Sequence, residues 1–150
     1  MTAPTLIFGW GNPSRGDDAL GPLFVERIAA LNRHDVECLT DFQLQVEHAL
    51  DLQGRQRILF VDASLVADAP FQISLLEPAK DASFSTHAIS PEAVMQVYVD
   101  LQDEAPPPCL LLAIRGLRFE LGESLSASAA EHLEAALTWT LNWLEQAPIV

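Results

Sequence analysis

Apolar residues along the chain fall into five short runs that alternate with longer segments of mixed polarity. Several of these runs are nearly unbroken Leu, Ile, Val and Phe, which is typical of strands covered on both faces of a sheet. The runs are Thr5–Gly9, Val36–Thr40, Arg57–Asp62, Phe71–Glu77 and Cys109–Gly116. Because strand-like and helical segments alternate, the pattern predicts an α/β fold: a three-layer, doubly wound sheet of about five strands, mostly parallel.

The fourth run differs from the others in its connection. Only a short loop containing Asp68-Ala69-Pro70 separates it from the end of the third run at Asp62. A parallel neighbour requires a crossover of a dozen or more residues, usually a helix. We therefore expect Phe71–Glu77 to be an antiparallel strand at one edge of the sheet.

Apolar residues spaced three and four apart predict helices between the strands. The first helix begins near Asp17, a plausible N-cap. Its apolar stripe consists of Leu20, Leu23, Phe24, Ile28 and Leu31. A short second helix covers about Gln45–Leu52. The third begins after Ser90 as N-cap, with Pro91 in the first helical position, and runs to about Leu101.

The last helix is predicted from a capping box formed by Ser128 and Glu131. Trp139 and Trp143 lie one turn apart beside its apolar stripe, and we expect them to pack against the core rather than bind a partner. The stripe itself consists of Leu133, Leu137, Leu141 and Leu144.

Composition narrows the class of protein. The 150 residues suit a single domain spanning 1–150, and although 49% are hydrophobic, no apolar run is long enough to cross a bilayer. Because Met1-Thr2-Ala3-Pro4 has no basic segment of a signal peptide, we expect a soluble, cytoplasmic protein. The net charge of −13 disfavours nucleic acid and anionic membranes as partners. Cys38 and Cys109 lie in apolar runs without metal-site spacing, so we expect buried, reduced thiols.

The most informative stretch is the glycine-rich turn after the first strand, Gly9 to Gly21. Glycines at 9 and 11 allow positive φ and close backbone approach, as in turns that bind phosphate. Here, however, Ser14 occupies the position of the third glycine of a dinucleotide-binding turn, and Asp17 and Asp18 follow. A like-charge contact at about 4 Å costs on the order of 4 kcal/mol near a protein surface, so the turn favours a cation over a phosphate.

Other polar residues follow the ends of the remaining strands. Ligands of an open α/β sheet bind outside the carboxyl ends of its strands, so these side chains are expected to form one group with Asp17 and Asp18. They are Asp41, Asp62, His87 and Arg115. Carboxylates and an imidazole form a suitable ligand set for a divalent metal that keeps positions open for water or substrate.

These stretches resemble the hydrogenase maturation endopeptidases over nearly the whole chain. Gly9-Trp10-Gly11-Asn12, followed by Gly16-Asp17-Asp18-Ala19-Leu20-Gly21, is similar to the glycine-rich and acidic signature of that family. Val61-Asp62-Ala63 matches its second acidic position, and Thr86-His87 matches its third. In some relatives the third ligand lies a few residues later, where this chain has Glu92.

The resemblance implies an aspartyl-type endopeptidase that activates hydrogenase. Such an enzyme removes the C-terminal extension of the nickel–iron hydrogenase large-subunit precursor after nickel insertion. Asp18, Asp62 and His87 would contact the nickel, which the substrate carries and the free protein does not bind tightly. Asp18 and Asp62 are also the catalytic candidates, whereas Asp17 would be the less direct neighbour that caps the helix.

Two alternatives remain open from the residues themselves. The first is a hydrolase with its own resident divalent metal. The second is a flavodoxin-like nucleotide-binding module in which Asp41 contacts a ribose hydroxyl. The sequence has no H-E-x-x-H motif and no Gly-x-Ser-x-Gly elbow, which argues against a zinc peptidase and a serine hydrolase.

Overall fold

A computed structural model of the protein describes residues 2–80 and 89–148. In this part of the chain, five strands form one sheet in the order β2-β1-β3-β5-β4. Strands β1, β2, β3 and β5 are parallel, and β4 pairs antiparallel with β5 at one edge. The strands are β1 Thr5–Trp10, β2 Val36–Asp41, β3 Arg57–Ser64, β4 Phe71–Leu75 and β5 Cys109–Arg115. This confirms the predicted α/β class and the antiparallel edge strand.

Helices cover both faces of the sheet, which makes three layers. One face packs against α1, Leu20–Ala29, and α3, Ala127–Glu145. The other packs against α2, Pro91–Gln102, and a 3-10 helix, Val46–Leu52. Because β1 and β3 are covered on both sides, the middle of each strand is an unbroken apolar run, residues 6–8 in β1 and 58–61 in β3. Within the described residues, no helix has both the length and the hydropathy needed to cross a bilayer.

Helix α2 begins as its sequence predicts. The Ser90 hydroxyl accepts a hydrogen bond from the Ala93 N–H, and Pro91 occupies the first turn. Trp139 and Trp143 also behave as expected, since their rings stack 6.0 Å apart and pack against the core beside β4.

The predicted caps of the other two helices are wrong. A 3-10 turn, Gly16–Ala19, precedes α1, and the Asp17 side chain does not cap it. Helix α3 is capped two residues earlier than predicted, because Ser126, not Ser128, accepts the Ala129 N–H.

Two leucines assigned to buried helix faces are exposed. Leu31 lies beyond the end of α1 and is 47% exposed, and Leu141 on α3 is 42% exposed. The other leucines of the α3 stripe, Leu133, Leu137 and Leu144, are buried. The helical period therefore predicted the direction of each buried face better than its extent.

Candidate functional site

The candidate site lies where the chain reverses its winding direction. After β1 the chain crosses the α1 face to reach β2, and from β2 it crosses the opposite face to reach β3. The carboxyl ends of β1 and β3 are therefore neighbours whose following segments leave on opposite sides. Such a switch point opens a crevice, which is where open α/β sheets bind their ligands.

The turn after β1 is glycine-rich because the helix that follows lies very close to it. A Cβ on Gly9 would come within 2.6 Å of the Gly21 carbonyl oxygen. Gly11 has a φ of +149°, and a Cβ there would come within 2.0 Å of the Asp18 carbonyl oxygen. The turn consequently excludes side chains at both positions, and it holds the Asp18 backbone against the end of β1.

Asp18 is half-buried in this crevice. One of its carboxylate oxygens accepts the backbone N–H of Asn12 at 2.8 Å, and the side chain of Asn12 in turn accepts the Ser14 N–H at 2.9 Å. These bonds fix the carboxylate inside the turn while its other oxygen has no hydrogen bond among the described residues.

Asp62 enters the same crevice from β3. Gly9 and Val61 are paired, so the next residues along the two strands are Trp10 and Asp62. By strand alternation Asp62 lies on the same face as Phe60, against which the Trp10 ring packs edge-on at 6.0 Å. Burial raises the pKa of Asp62 to about 7, and the negative charge of Asp18 contributes in the same direction. The two catalytic candidates are thus close enough to interact electrostatically.

Asp17 points away from the crevice. It is fully buried, and its carboxylate accepts the N–H of Leu117 at 2.8 Å and both the N–H and the hydroxyl of Ser126 at 2.7 and 2.8 Å. Burial acts to raise the pKa of Asp17, but the Ser126 and Leu117 donors outweigh it and hold the pKa below its usual value. Asp17 therefore clamps the segment between β5 and α3 onto the site turn, rather than capping the helix it begins.

Asp41 and Arg115 have partners outside the crevice. Asp41 accepts from its neighbour Phe42 N–H at 2.7 Å and lies 3.1 Å from Nε2 of His48. Arg115 donates to the carbonyl oxygens of Ala67 and Gly116 at 2.9 and 3.1 Å.

His48 is a residue whose role the sequence analysis missed. Its Nδ1 accepts the Gln45 N–H at 2.8 Å, which leaves the proton on Nε2, directed at Asp41. The signal was present in the sequence, since Gln45 and His48 have the spacing of a capping box.

His87, the third metal-contacting candidate, lies outside the described residues. The described chain resumes at Ile89, whose N–H donates to the Leu44 carbonyl oxygen and whose side chain packs on the same face of the sheet as Asp62. Glu92, the alternative third ligand, lies in the first turn of α2. Among residues 2–80 and 89–148, no three His, Cys, Asp or Glu side chains are grouped closely enough to hold a metal ion.

The two cysteines are poor nucleophiles in this fold. Burial raises the pKa of the Cys38 thiol to about 11 and that of Cys109 to about 12. Since the thiolate is the reactive form, neither side chain is activated at neutral pH. Cys109 is fully buried, as predicted, whereas Cys38 is only partly buried.

Comparison with solved structures identifies this arrangement of strands and turns. The hydrogenase maturation protease HycI from Thermococcus kodakarensis superposes with a TM-score of 0.72 at 23% identity, covering 97% of this chain and 94% of its own. The chain has the fold of the hydrogenase maturation proteases. The maturating endopeptidase HybD from Escherichia coli gives a TM-score of 0.71 at 24% identity, covering 94% of this chain and 91% of its own.

A third structure with the maturation-protease fold is the hydrogenase 2 maturation peptidase from Thaumarchaeota archaeon SCGC_AB-539-E09. It has a TM-score of 0.68 at 19% identity and covers 94% of this chain and 97% of its own. No protein-family model matches the chain, and no curated protein matches its sequence significantly. The maturation-protease fold is therefore retained here at low sequence identity.

The raised pKa of Asp62 predicts a pH-dependent stability. Its folded pKa of about 7 lies above the ordinary value of 3.8, so between these values the folded chain binds one more proton than the unfolded chain. Stability should therefore fall as pH rises from about 4 to 7 and level off above 7. Asp62→Asn should remove this decline and be roughly 2–4 kcal/mol more stable than the native chain at pH 8. Urea unfolding of both proteins from pH 4.5 to 8 measures this difference in the free energy of unfolding. If that free energy changed with pH in parallel for the two proteins, the result would contradict a raised pKa of Asp62.

Proposed function

We propose that this protein is an endopeptidase that removes the C-terminal extension of a nickel–iron hydrogenase large-subunit precursor after nickel has been inserted. The observation that carries the proposal is the pair Asp18 and Asp62 at the β1/β3 switch point. In this pair one carboxylate is fixed by the glycine-rich turn and the other has a pKa near 7. The fold shared with hydrogenase maturation proteases supports the same reaction class.

In this proposal, Asp18, Asp62 and His87 contact the nickel of the substrate. Asp18 supplies a preorganised carboxylate, because the Asn12 N–H already fixes one of its oxygens. An arriving cation favours the ionised form of Asp62 and displaces its proton. In this proposal the free protein does not bind the ion tightly, because the substrate's own ligands complete its coordination.

The same pair offers the general base that peptide hydrolysis requires. A general base must be deprotonated before it can accept a proton, and the arriving cation brings Asp62 into this form at neutral pH. In the proposed mechanism the substrate's nickel polarises the scissile carbonyl, and Asp62 takes a proton from the attacking water. Catalysis through a cysteine is disfavoured by the raised pKa of both thiols.

The test is cleavage of purified precursor with and without nickel. We expect a small mass loss from the C-terminus of the nickel-loaded precursor and none from the nickel-free precursor. Intact-mass spectrometry measures this loss. Metal analysis of the purified enzyme serves as the control, because stoichiometric bound metal would support a resident-metal hydrolase. Equal cleavage of both precursors would contradict nickel recognition.

A further inference from the structure

An open groove lies at the end of the sheet remote from the crevice, where β4 ends and β5 begins. Its volume is about 610 Å³, within the range of roughly 300–1,000 Å³ that is typical of small-molecule sites. Three segments line it: residues 75–78 at the end of β4, Met95 and Val99 on α2, and residues 103–109, which lead into β5. None of these residues belongs to the β1/β3 switch point, so the groove is a second, separate feature of the molecule.

The lining of the groove is mainly apolar and has a fixed shape. Leucine, methionine, valine and proline side chains make up most of it, and Leu75 among them is 66% exposed. Pro106, Pro107 and Pro108 form one wall, and their rings hold the backbone φ at about −65°. A groove whose walls are fixed before binding loses little conformational entropy when a molecule enters it.

Hydrogen bonds join the proline-rich wall to the other two segments and to β3. The Tyr98 hydroxyl of α2 donates to the Glu104 carboxylate at 2.9 Å. The Leu76 N–H at the end of β4 donates to the Cys109 carbonyl oxygen at 2.9 Å, and the Ile58 N–H of β3 donates to the Pro108 carbonyl oxygen at 2.9 Å. The groove is therefore built from tertiary contacts and is not a gap between independent loops.

Three acidic side chains line the same groove, namely Glu77, Asp103 and Glu104. The buried Tyr98 holds one oxygen of Glu104, so this carboxylate has a fixed position. Within residues 2–80 and 89–148, none of the three carboxylates has an ion pair, and no Lys, Arg or His side chain lines the groove. The groove thus combines an apolar surface with negative charge that its own residues do not neutralise.

Such a groove is complementary to a molecule that is both apolar and positively charged. Elsewhere the chain supplies the cation itself, as in the ion pairs Arg27–Glu134 and Arg118–Glu123. From this geometry we infer that the groove binds a small amphipathic amine, with its apolar body against the leucine and proline side chains and its ammonium group among the three carboxylates. A protein interface usually spreads over about 800 Å² of each partner, whereas these three walls bound a groove of small-molecule size.

The experiment titrates a simple amine into the full chain. The probe is 4-phenylbutylamine, which joins an apolar ring and chain to one ammonium group, and its neutral counterpart is 4-phenyl-1-butanol. Backbone amide shifts of the ¹⁵N-labelled protein report where each compound binds. We expect saturable shifts at Leu76, Val99 and Glu104 with a Kd for the amine below about 1 mM. The alcohol should bind about tenfold more weakly, because it lacks the charge that the carboxylates recognise.

A pair of variants tests the part played by Glu104. Glu104→Gln keeps an oxygen that accepts the Tyr98 hydroxyl but removes the charge, so it should weaken amine binding about tenfold and leave alcohol binding unchanged. Glu26→Gln is the matched control, because it neutralises an exposed glutamate of α1 on the other face of the sheet. It should bind the amine as the native chain does. Melting temperatures check that both variants fold, and Asp103→Asn replaces Glu104→Gln if that variant does not.

Several results would overturn the inference. Absence of saturable shifts refutes the site, and equal affinity for amine and alcohol, or for native chain and Glu104→Gln, refutes recognition of the charge. Amine shifts confined to the surroundings of Asp18 and Asp62 would place the cation in the crevice instead. Tenfold tighter binding of the peptide acetyl-Leu-Lys-Leu-amide would make a protein segment the occupant. A dimer that the amine dissociates, measured by sedimentation, would make it a second copy of the chain. None of these results depends on cleavage of the precursor, so the inference is tested separately from the proposed function.

Discussion

Asp18→Asn should abolish cleavage of the nickel-loaded precursor and leave the melting temperature nearly unchanged. The amide keeps the shape of the side chain and an oxygen that accepts the Asn12 N–H, so the turn retains its hydrogen bond. What is lost is the negative charge that meets the cation, and we expect a fall in cleavage rate of at least about a hundredfold. Loss of one well-placed electrostatic contact in an active site typically costs that much.

The matched control is Asp68→Asn, which neutralises an exposed aspartate in the loop after β3. It should cleave at the native rate, which separates the local role of Asp18 from a general effect of net charge. Rates and thermal melts of both variants decide the matter. An active Asp18→Asn enzyme would remove Asp18 from the nickel-contacting set and with it the central element of the proposed site.

Asp17→Ala should destabilise the fold by roughly 3–5 kcal/mol, because each donor that it leaves without a partner costs about 1–3 kcal/mol. The substitution leaves three part-buried donors without their acceptor, namely the N–H groups of Leu117 and Ser126 and the Ser126 hydroxyl. It also releases the N-terminus of α3, because Ser126 is the residue that caps that helix. Denaturant unfolding measures the change directly.

Glu120→Ala provides the comparison for Asp17→Ala, since Glu120 is exposed in the loop that Asp17 clamps. It should change stability by no more than about 0.5 kcal/mol. The carboxylate of Asp17 also holds the loop that contains Leu117. Asp17→Ala should therefore lose cleavage in proportion to its unfolded fraction and to the mobility of this loop. Native stability of Asp17→Ala would contradict the buried network, and loss of cleavage with native stability would move Asp17 into the crevice.

The two neighbouring aspartates thus differ through their partners, not their chemistry. Asp17 reaches residues 100 and 109 positions later in the chain, whereas the hydrogen bond of Asp18 is to Asn12, six positions earlier. Successive residues in a helical turn point about 100° apart, which allows one carboxylate to face the core and the other the crevice. The family resemblance also assigned Asp18 to the crevice, although it assigned Asp17 to a cap that the structure does not form.

Much of the fold could be predicted because the responsible signals are local. Strands β1 and β3 are runs of apolar residues, and a run buried on both faces needs little else to be recognised. The antiparallel direction of β4 followed from the length of the connection after Asp62, which cannot hold a crossover. The glycines at 9 and 11 indicated a close approach that the structure confirms.

Tertiary structure alone decided the rest, because the interactions concerned join residues far apart in sequence. The pKa of Asp62 depends on burial between two strands and on the charge of Asp18, neither of which a strand-end position reveals. Ser126 replaced Ser128 as the cap of α3 because Asp17, bonded to Ser126, fixes where that helix begins. The sequence by itself determined the sheet and the turn that carries Asp18. The partner of each polar side chain was decided by which strand ends the completed sheet brings together.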